Sequence, residues 1–302
     1  MRQIINVHAD DYGINSEISN NIITSINNGL TNSISIVCNT NDFTKDIRKL
    51  DSLEKNIRKS LHLNLVEGSP LSDKSEVYMI VNENGEFKYS FIRLWLKYVL
   101  STRNKKIKLR KQIKLEIKNQ IKRYLKYSRD SKNLNIDSHM HFHMIPFIFN
   151  EIITLSKIYK IEFIRIPYEI NYYNYKIYTR LFNINIIKHL LLNALSRFNL
   201  YKLKKNKIKY NEYFIGVLAT GHMSIEDIEF ALKAISKRDN PKSIDILFHP
   251  GGISPENLVV WTKNLSFKKF YASKNRQDEL NLLFSDKLKA LVSHYENIFN
   301  NR

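Results

Sequence analysis

The chain has 302 residues, with 48 lysines and arginines against 29 aspartates and glutamates, a formal charge of +19, and 43% hydrophobic residues. That size and hydrophobic content exclude a mini-domain and a disordered polar chain. Its single cysteine, Cys38, excludes an intramolecular disulfide and a thiolate-cluster zinc or iron–sulfur site, so any metal must be held by histidines and carboxylates.

In chain order, 3–9 reads as a short buried strand ending in the polar DDYG. A helical pattern through Ile18, Ile22, Ile23 and Ile26 follows and stops at Gly29, giving one β-loop-α unit. Segments 33–38 and 59–66 read as strands, the second closing in the turn EGSP. Region 88–130 is rich in lysine and repeats Ile113, Ile117, Ile121 and Leu125 at every fourth position, which predicts one long, basic, amphipathic helix. Strand-like segments recur at 134–139, 161–166, 213–218 and 244–248, and the Tyr- and Lys-rich stretch 170–210 reads as a helical lid or insertion. Strands alternating with helices predict an α/β fold with a parallel sheet. Ligands bind such sheets at the carboxyl ends of the strands, where this chain repeatedly places His, Asp and Arg.

The charge excess would attract nucleic acid or an anionic membrane surface. The basic residues are spread widely, however, and the whole chain is dominated by Ile, Asn and Lys, which points to compositional drift. Acidic residues arrive before any long apolar run develops at the N-terminus, and no run approaches the ~20 residues that span a bilayer, so the sequence reads as cytoplasmic. Of the eight glycines, five (Gly13, Gly68, Gly221, Gly251 and Gly252) lie within a few residues of a His or an acidic residue, which reads as turns next to chemistry.

Asp10 and Asp11 follow a buried strand directly, where adjacent carboxylates repel unless one is neutralised by a metal and the other by a cation; the plainer alternative is that Asp11 or Asn15 caps the following helix. In IDSHMHFHMIP, Asp137, His139, His141 and His143 alternate, so in an extended strand all four share one face, a pattern that favours a metal site over core packing. If Asp11 and His62 also contribute, not all three of these histidines can ligate, and the spare ones orient ligands or contact substrate. His62 alone would pass for a hydrogen-bonded core residue. His249, before a Pro-Gly-Gly turn, is well placed as a general acid. Arg165 is either a structural ion pair or the partner of a catalytic carboxylate.

Taken together, INVHADDYGINSEISNNI, LHLNLVEGSPL, IDSHMHFHMIP, FIRIPYE, YFIGVLATGHM, LFHPGG and YASKNRQDEL resemble, in order from residue 4 to about residue 280, the YdjC-like carbohydrate deacetylases, which include the chito-oligosaccharide deacetylases. The resemblance implies a single domain over 1–302, a distorted, incomplete (β/α) barrel with parallel strands. It also implies one divalent metal ion, magnesium or zinc, removal of the acetyl group from N-acetylated sugars with release of acetate, and a homodimer. Carried over residue by residue, Asp11, His62 and His139 match the metal ligands, Asp10 the catalytic base, Arg165 the arginine that steadies it and His249 the proton donor. Asp137, His141 and His143 are left as supporting or substrate-binding groups. Two imidazoles favour zinc by softness. The basic segment at about 100–126, the stretch 170–210 and the residues around Trp261 depart from the family pattern. The competing expectations are a phosphoesterase on a similar barrel, which would hold two or three ions ~3.5–4 Å apart, and a basic nucleic-acid-binding protein using the 100–126 helix.

Overall fold

Parallel strands covered on both faces ordinarily read as near-continuous apolar runs, but here polar residues interrupt them at every second position. The apolar set, including Val7, Ile34, Ile36, Leu61, Leu63, Ile136 and Ile246, packs into the core. The alternate set, including His8, Asp10, Ser33, Ser35, Ser60, His62, Asp137 and Asp245, is also buried. The computed structural model describes residues 3–128, 133–172, 184–254 and 265–302.

Seven strands, β1 (Ile5–Tyr12), β2 (Ser33–Ile36), β3 (Arg58–Leu63), β4 (Leu134–Ser138), β5 (Ile161–Ile164), β6 (Tyr213–Ile215) and β7 (Ile244–Phe248), pair in parallel in the order β5-β4-β3-β2-β1-β7-β6. The sheet curls so that its two edges approach: Ile164 N donates to Lys209 O, Lys209 N to Glu162 O, and Phe214 N to Tyr168 O. This partial closure makes the molecule a distorted, incomplete (β/α) barrel.

The first crossover, α1 (Ser16–Asn28), starts where Asn15 accepts a hydrogen bond from Glu17 N at 2.6 Å and ends at Gly29, so Asn15 is the cap and Asp11 is free of that duty. Its residues Ile18, Ile22 and Ile26 are buried against the sheet. Gly13, at φ +86°, could not carry a side chain, because a Cβ would stand 2.6 Å from Val37 O. After α2 (Phe43–Lys49), region 88–130 forms two helices, α3 (Phe91–Val99) and α4 (Arg103–Tyr127). The expectation of one helix is corrected: the chain breaks at an extended Thr102. That break lets α3 set Phe91 against Phe142 and Tyr98 against Phe147 while remaining in contact with α4.

On α4, Ile113, Ile117 and Ile121 are fully buried as their spacing predicts. Gln112, Glu116 and Gln120 share the buried side at the same four-residue interval. Glu116 accepts from Leu71 N at 3.0 Å and Ser72 N at 2.9 Å, Gln112 accepts from Met79 N at 2.8 Å, and Gln120 exchanges bonds with Asn64 N and O at 3.0 and 2.7 Å. The helix thus fastens the loop after β3, which carries part of the site.

Helices α5 (Pro146–Leu155), α6 (Ile184–Lys205), α7 (Ile225–Ser236), α8 (Leu265–Tyr271), α9 (Lys274–Leu283) and α10 (Asp286–Asn300) complete the shell. α6 confirms helix in the later part of 170–210; residues 173–183 and Trp261 lie outside the described residues. No helix among the described residues is long and apolar enough to cross a membrane.

Glu116→Ala removes the acceptor of four buried or half-buried donors, Leu71 N, Ser72 N, Ser72 Oγ and Gln120 Nε2, and should cost about 1–3 kcal/mol in urea unfolding, whereas Lys111→Ala on the exposed side of α4 should stay within about 0.5 kcal/mol. Equal losses would show that the buried polar row does not hold the loop.

Candidate metal centre and active site

Neighbouring residues of a strand normally face opposite sides of the sheet, yet Asp10 and Asp11 both reach the same pocket. A bulge brings this about. Ala9 pairs with Ile34 and Tyr12 with Ile36, so β1 spends one more residue than β2 between those rungs, and Asp11 takes the left-handed conformation at φ +75°. His62 Nε2 then lies 3.9 Å from both Asp10 Oδ2 and Asp11 Oδ1.

The pocket contains two clusters. In the first, donor atoms of Asp11, His62 and His139 lie within 4.8 Å of one another. His139 Nδ1 is 3.3 Å from Asp11 Oδ1, yet that buried oxygen accepts no hydrogen bond of good geometry among the described residues. Each histidine is aimed by a carboxylate behind it: His62 Nδ1 meets Asp137 Oδ1 at 2.6 Å and His139 Nε2 meets Glu67 Oε1 at 2.8 Å. Glu67 is steadied by the hydroxyl of Tyr271 at 3.1 Å. An unpartnered carboxylate oxygen facing two imidazoles backed by carboxylates is a donor set suited to a divalent cation with open coordination positions.

The second cluster, His8, Asp10 and Asp137, also has metal-ligand composition. It is filled by Arg165, which is fully buried. Arg165 Nη1 donates to both oxygens of Asp10 at 3.0 Å, and Nη2 to Asp10 Oδ1 at 3.0 Å and Ser35 Oγ at 3.2 Å, while Nη2 lies 3.0 Å from Asp137 Oδ2. Of the two readings of Arg165, structural ion pair or partner of the carboxylate beside the cation cluster, its contacts satisfy both. Asp11 has a guanidinium of its own, since Arg276 Nη1 donates to its Oδ2 at 2.9 Å.

These neighbours set the protonation states. Burial alone would raise the Asp10 carboxyl, but Arg165, with His62 and His8, holds it well below the carboxylate range. Burial likewise opposes ionisation of Asp11, and His139 and Arg276 overcome it. Burial disfavours the charged form of His139, but the carboxylates of Asp11 and Glu67 on either side outweigh that and push it up to about 10. His249 is pushed down to about 4 by burial, Asp11 and Asp10 only partly opposing. Its backbone N donates to Glu279 Oε2 at 2.6 Å, and its ring packs edge-on against Phe270.

The alternating segment behaves differently from its sequence reading. β4 ends at Ser138, and His139–Met144 is a 3-10 turn in which Met140 and His141 take left-handed dihedrals, so Asp137, His139, His141 and His143 do not line one strand face. The reversal sends the side chains to separate tasks. Asp137 and His139 enter the site. His143 pins the turn, with Nδ1 on Ser138 Oγ at 2.6 Å and Nε2 on Arg165 O at 2.8 Å. His141 stands edge-on to Phe214 with a buried Nδ1 that has no hydrogen-bond partner among the described residues, and burial keeps its ring neutral. Glu67, Arg276, Glu279, Tyr271 and His8 were not singled out from the sequence. Each sits in a segment carrying the family resemblance, but none has a spacing to its partners that a linear reading could use.

A curled parallel barrel with adjacent aspartates at the end of β1 and convergent histidines from β3 and the end of β4 defines an α/β fold whose donor groups could hold a metal ion. The chain matches the model for YdjC-like protein over residues 4–294 and belongs to that family. It is 31% identical over 157 residues to a carbohydrate deacetylase of Clostridium beijerinckii, covering 52% of this chain and 57% of the relative. It is 29% identical over 135 residues to a carbohydrate deacetylase of Thermoanaerobacter pseudethanolicus, covering 45% and 49%. The chain thus matches about half the length of these curated relatives. A crystal structure from Enterococcus faecalis V583, provisionally named a cellobiose-phosphate cleavage protein, superposes with a TM-score of 0.69 at 17% identity. It covers 98% of this chain and 95% of that one, a likeness of fold.

Because Asp11 and Glu67 push His139 up to about 10, a divalent ion bound at its Nδ1 would displace a proton. Binding should release about one proton per ion at about pH 7.5 and weaken roughly tenfold per unit of acidification. Titration calorimetry in two buffers of different ionisation enthalpy measures this, and zero release would put the ion away from His139.

Proposed function

We propose that the chain is a metal-dependent hydrolase that removes the acetyl group from N-acetylated sugars, of the chito-oligosaccharide or related N-acetylglucosamine class, releasing acetate. One observation carries the reading: the Asp11, His62 and His139 donors converge beside a second carboxylate, Asp10, that Arg165 keeps ionised and oriented. The names of the two curated relatives support the same chemistry.

A single divalent ion, magnesium or zinc, would be held by Asp11 Oδ1, His62 Nε2 and His139 Nδ1, and when bound it supplies Lewis acidity that makes water nucleophilic and draws charge from the amide carbonyl. The residues of the chain do the rest. Asp10 takes the proton of the attacking water. Both its oxygens accept from Arg165 Nη1, but Oδ1 also accepts from Nη2 and faces His8 Nε2 at 3.2 Å, so the less crowded Oδ2, on the His62 side, is the better placed acceptor. Asp137 and Glu67 keep the two imidazoles turned toward Asp11. His249 protonates the departing amine, otherwise a poor leaving group. With its pKa near 4 it is neutral at rest, so it must first take up a proton, the one Asp10 removed from the water or one from solvent, before passing it to the amine. His141, with an unpartnered Nδ1, is the candidate substrate contact.

Two-ion phosphoester hydrolysis fits less well, because the second His/Asp cluster already holds a guanidinium in hydrogen-bonding contact with its carboxylates. The lysines of α4 support no nucleic-acid reading beyond charge, since its buried side serves the loop after β3.

Acetate release from a panel of N-acetylated mono- and disaccharides, with chelation and metal add-back, tests the assignment. Activity should vanish on chelation and return with about one ion per chain. Asp11→Ala or His62→Ala should lose metal and activity together. Asp10→Asn should keep the ion and lose about 10²–10⁴-fold in kcat; full activity there would remove the base assignment. No acetate from any substrate in the panel would remove the reading itself.

A further inference from the structure

A row of buried polar groups runs through the barrel beneath the site, and these groups form a closed circuit. At the amino ends of the strands, opposite the site, Arg58 Nη2 donates to Asp245 Oδ2 at 2.6 Å. The same Asp245 oxygen lies 3.8 Å from Arg165 Nε, an atom with no hydrogen-bond partner among the described residues, and Arg165 grips Asp10. A second arm returns to Asp10: Arg58 Nε donates to Ser33 Oγ at 2.9 Å, that hydroxyl meets His8 Nδ1 at 2.6 Å, and His8 Nε2 is 3.2 Å from Asp10 Oδ1. Asn6 Nδ2 fixes the other oxygen of Asp245 at 3.1 Å. The Arg58 guanidinium is stacked over Phe163 at 4.6 Å, and its side chain is 20% exposed.

We propose that Arg58 and Asp245 are positioning residues that hold Arg165, and through it Asp10, in place for proton transfer; this rests on the deacetylase reading above. Arg165 is drawn on one side by Asp10 and Asp137 and on the other by Asp245. Because Arg58 engages Asp245 more closely than Arg165 does, it absorbs most of that opposing attraction and leaves the Arg165 fork on Asp10. Without Arg58, the freed carboxylate of Asp245 competes for Arg165 at its unpartnered Nε and pulls the fork away from Asp10. Neither Arg58 nor Asp245 touches the cation donors or the mouth of the site, so the effect falls on turnover and spares binding.

Arg58→Gln should lower kcat for acetate release about tenfold, as a displaced catalytic group does, with KM within about twofold and one ion per chain retained. Adding Asp245→Asn removes the competing charge, so the double variant should regain kcat to within about threefold of the parent. A merely structural pair would make the double variant worse than the single. Unchanged kcat in Arg58→Gln, a loss confined to KM, or a double variant no better than the single overturns the proposal. Should Arg58→Gln fail to fold, Arg58→Lys keeps the charge without the two-pronged grip and should lose about threefold in kcat, again at constant KM. A crystal structure of the folded variant gives a readout independent of activity: Arg165 should move from Asp10 toward Asp245. An unmoved Arg165 overturns the proposal even where acetate is released, and absence of acetate from the parent protein identifies failure of the deacetylase reading instead.

Discussion

Three buried carboxylates, Asp10, Asp137 and Asp245, surround one fully buried guanidinium, that of Arg165. Removing so many charges from water is tolerated when each is paired and hydrogen-bonded, and is severely destabilising when one partner is taken away. The sheet must therefore bring β1, β4, β7 and the end of β5 to a common axis, which is what its curl does. The barrel interior, filled with Val, Ile and Leu in most such folds, is given over here to an ionic network. The apolar core lies outside it, between sheet and helices.

That network also accounts for the character of the site. The carboxylates of Asp10, Asp11, Asp137 and Asp245 are paired with the guanidiniums of Arg58, Arg165 and Arg276. Among these seven groups one negative charge remains, Glu67 adds another carboxyl behind His139, and Asp11 Oδ1 faces His62 and His139. The carboxylates of Asp11 and Glu67 together favour the charged form of His139. A divalent ion is a stronger answer to the same imbalance, and Glu67 and Asp137 already hold the imidazoles in the orientation it requires.

Backbone strain is concentrated where the chemistry is. Asp11, Met140 and His141 all take left-handed dihedrals without being glycine. At Asp11 the strain turns two consecutive carboxylates to one side of the sheet; at Met140 and His141 it ends β4 and folds the histidine run back on itself. Gly251, at φ +79° before α9, serves the same region, since its carbonyl accepts from Arg276 Nε at 2.7 Å. Such conformations persist because the surrounding packing over-determines them.

The sequence by itself determined the order of the strands, the stop of α1 at Gly29, the buried isoleucine stripe of α4, and the candidates Asp10, Asp11, His62, His139, Arg165 and His249. Each of these follows from local periodicity, cap chemistry or motifs held within a few residues. The polar alternation of SISI, RKSLHL and IDIL was equally present in the sequence, but its meaning depends on which way a sheet curls. Tertiary structure alone decided that His139 faces Asp11 while His143 serves the backbone, that Glu67 and Arg276 complete the site, and that Arg165 lies between Asp10 and Asp245. These are pairings across 72, 265, 155 and 80 residues of chain. Charge and distance fix them in three dimensions, where linear spacing carries no information.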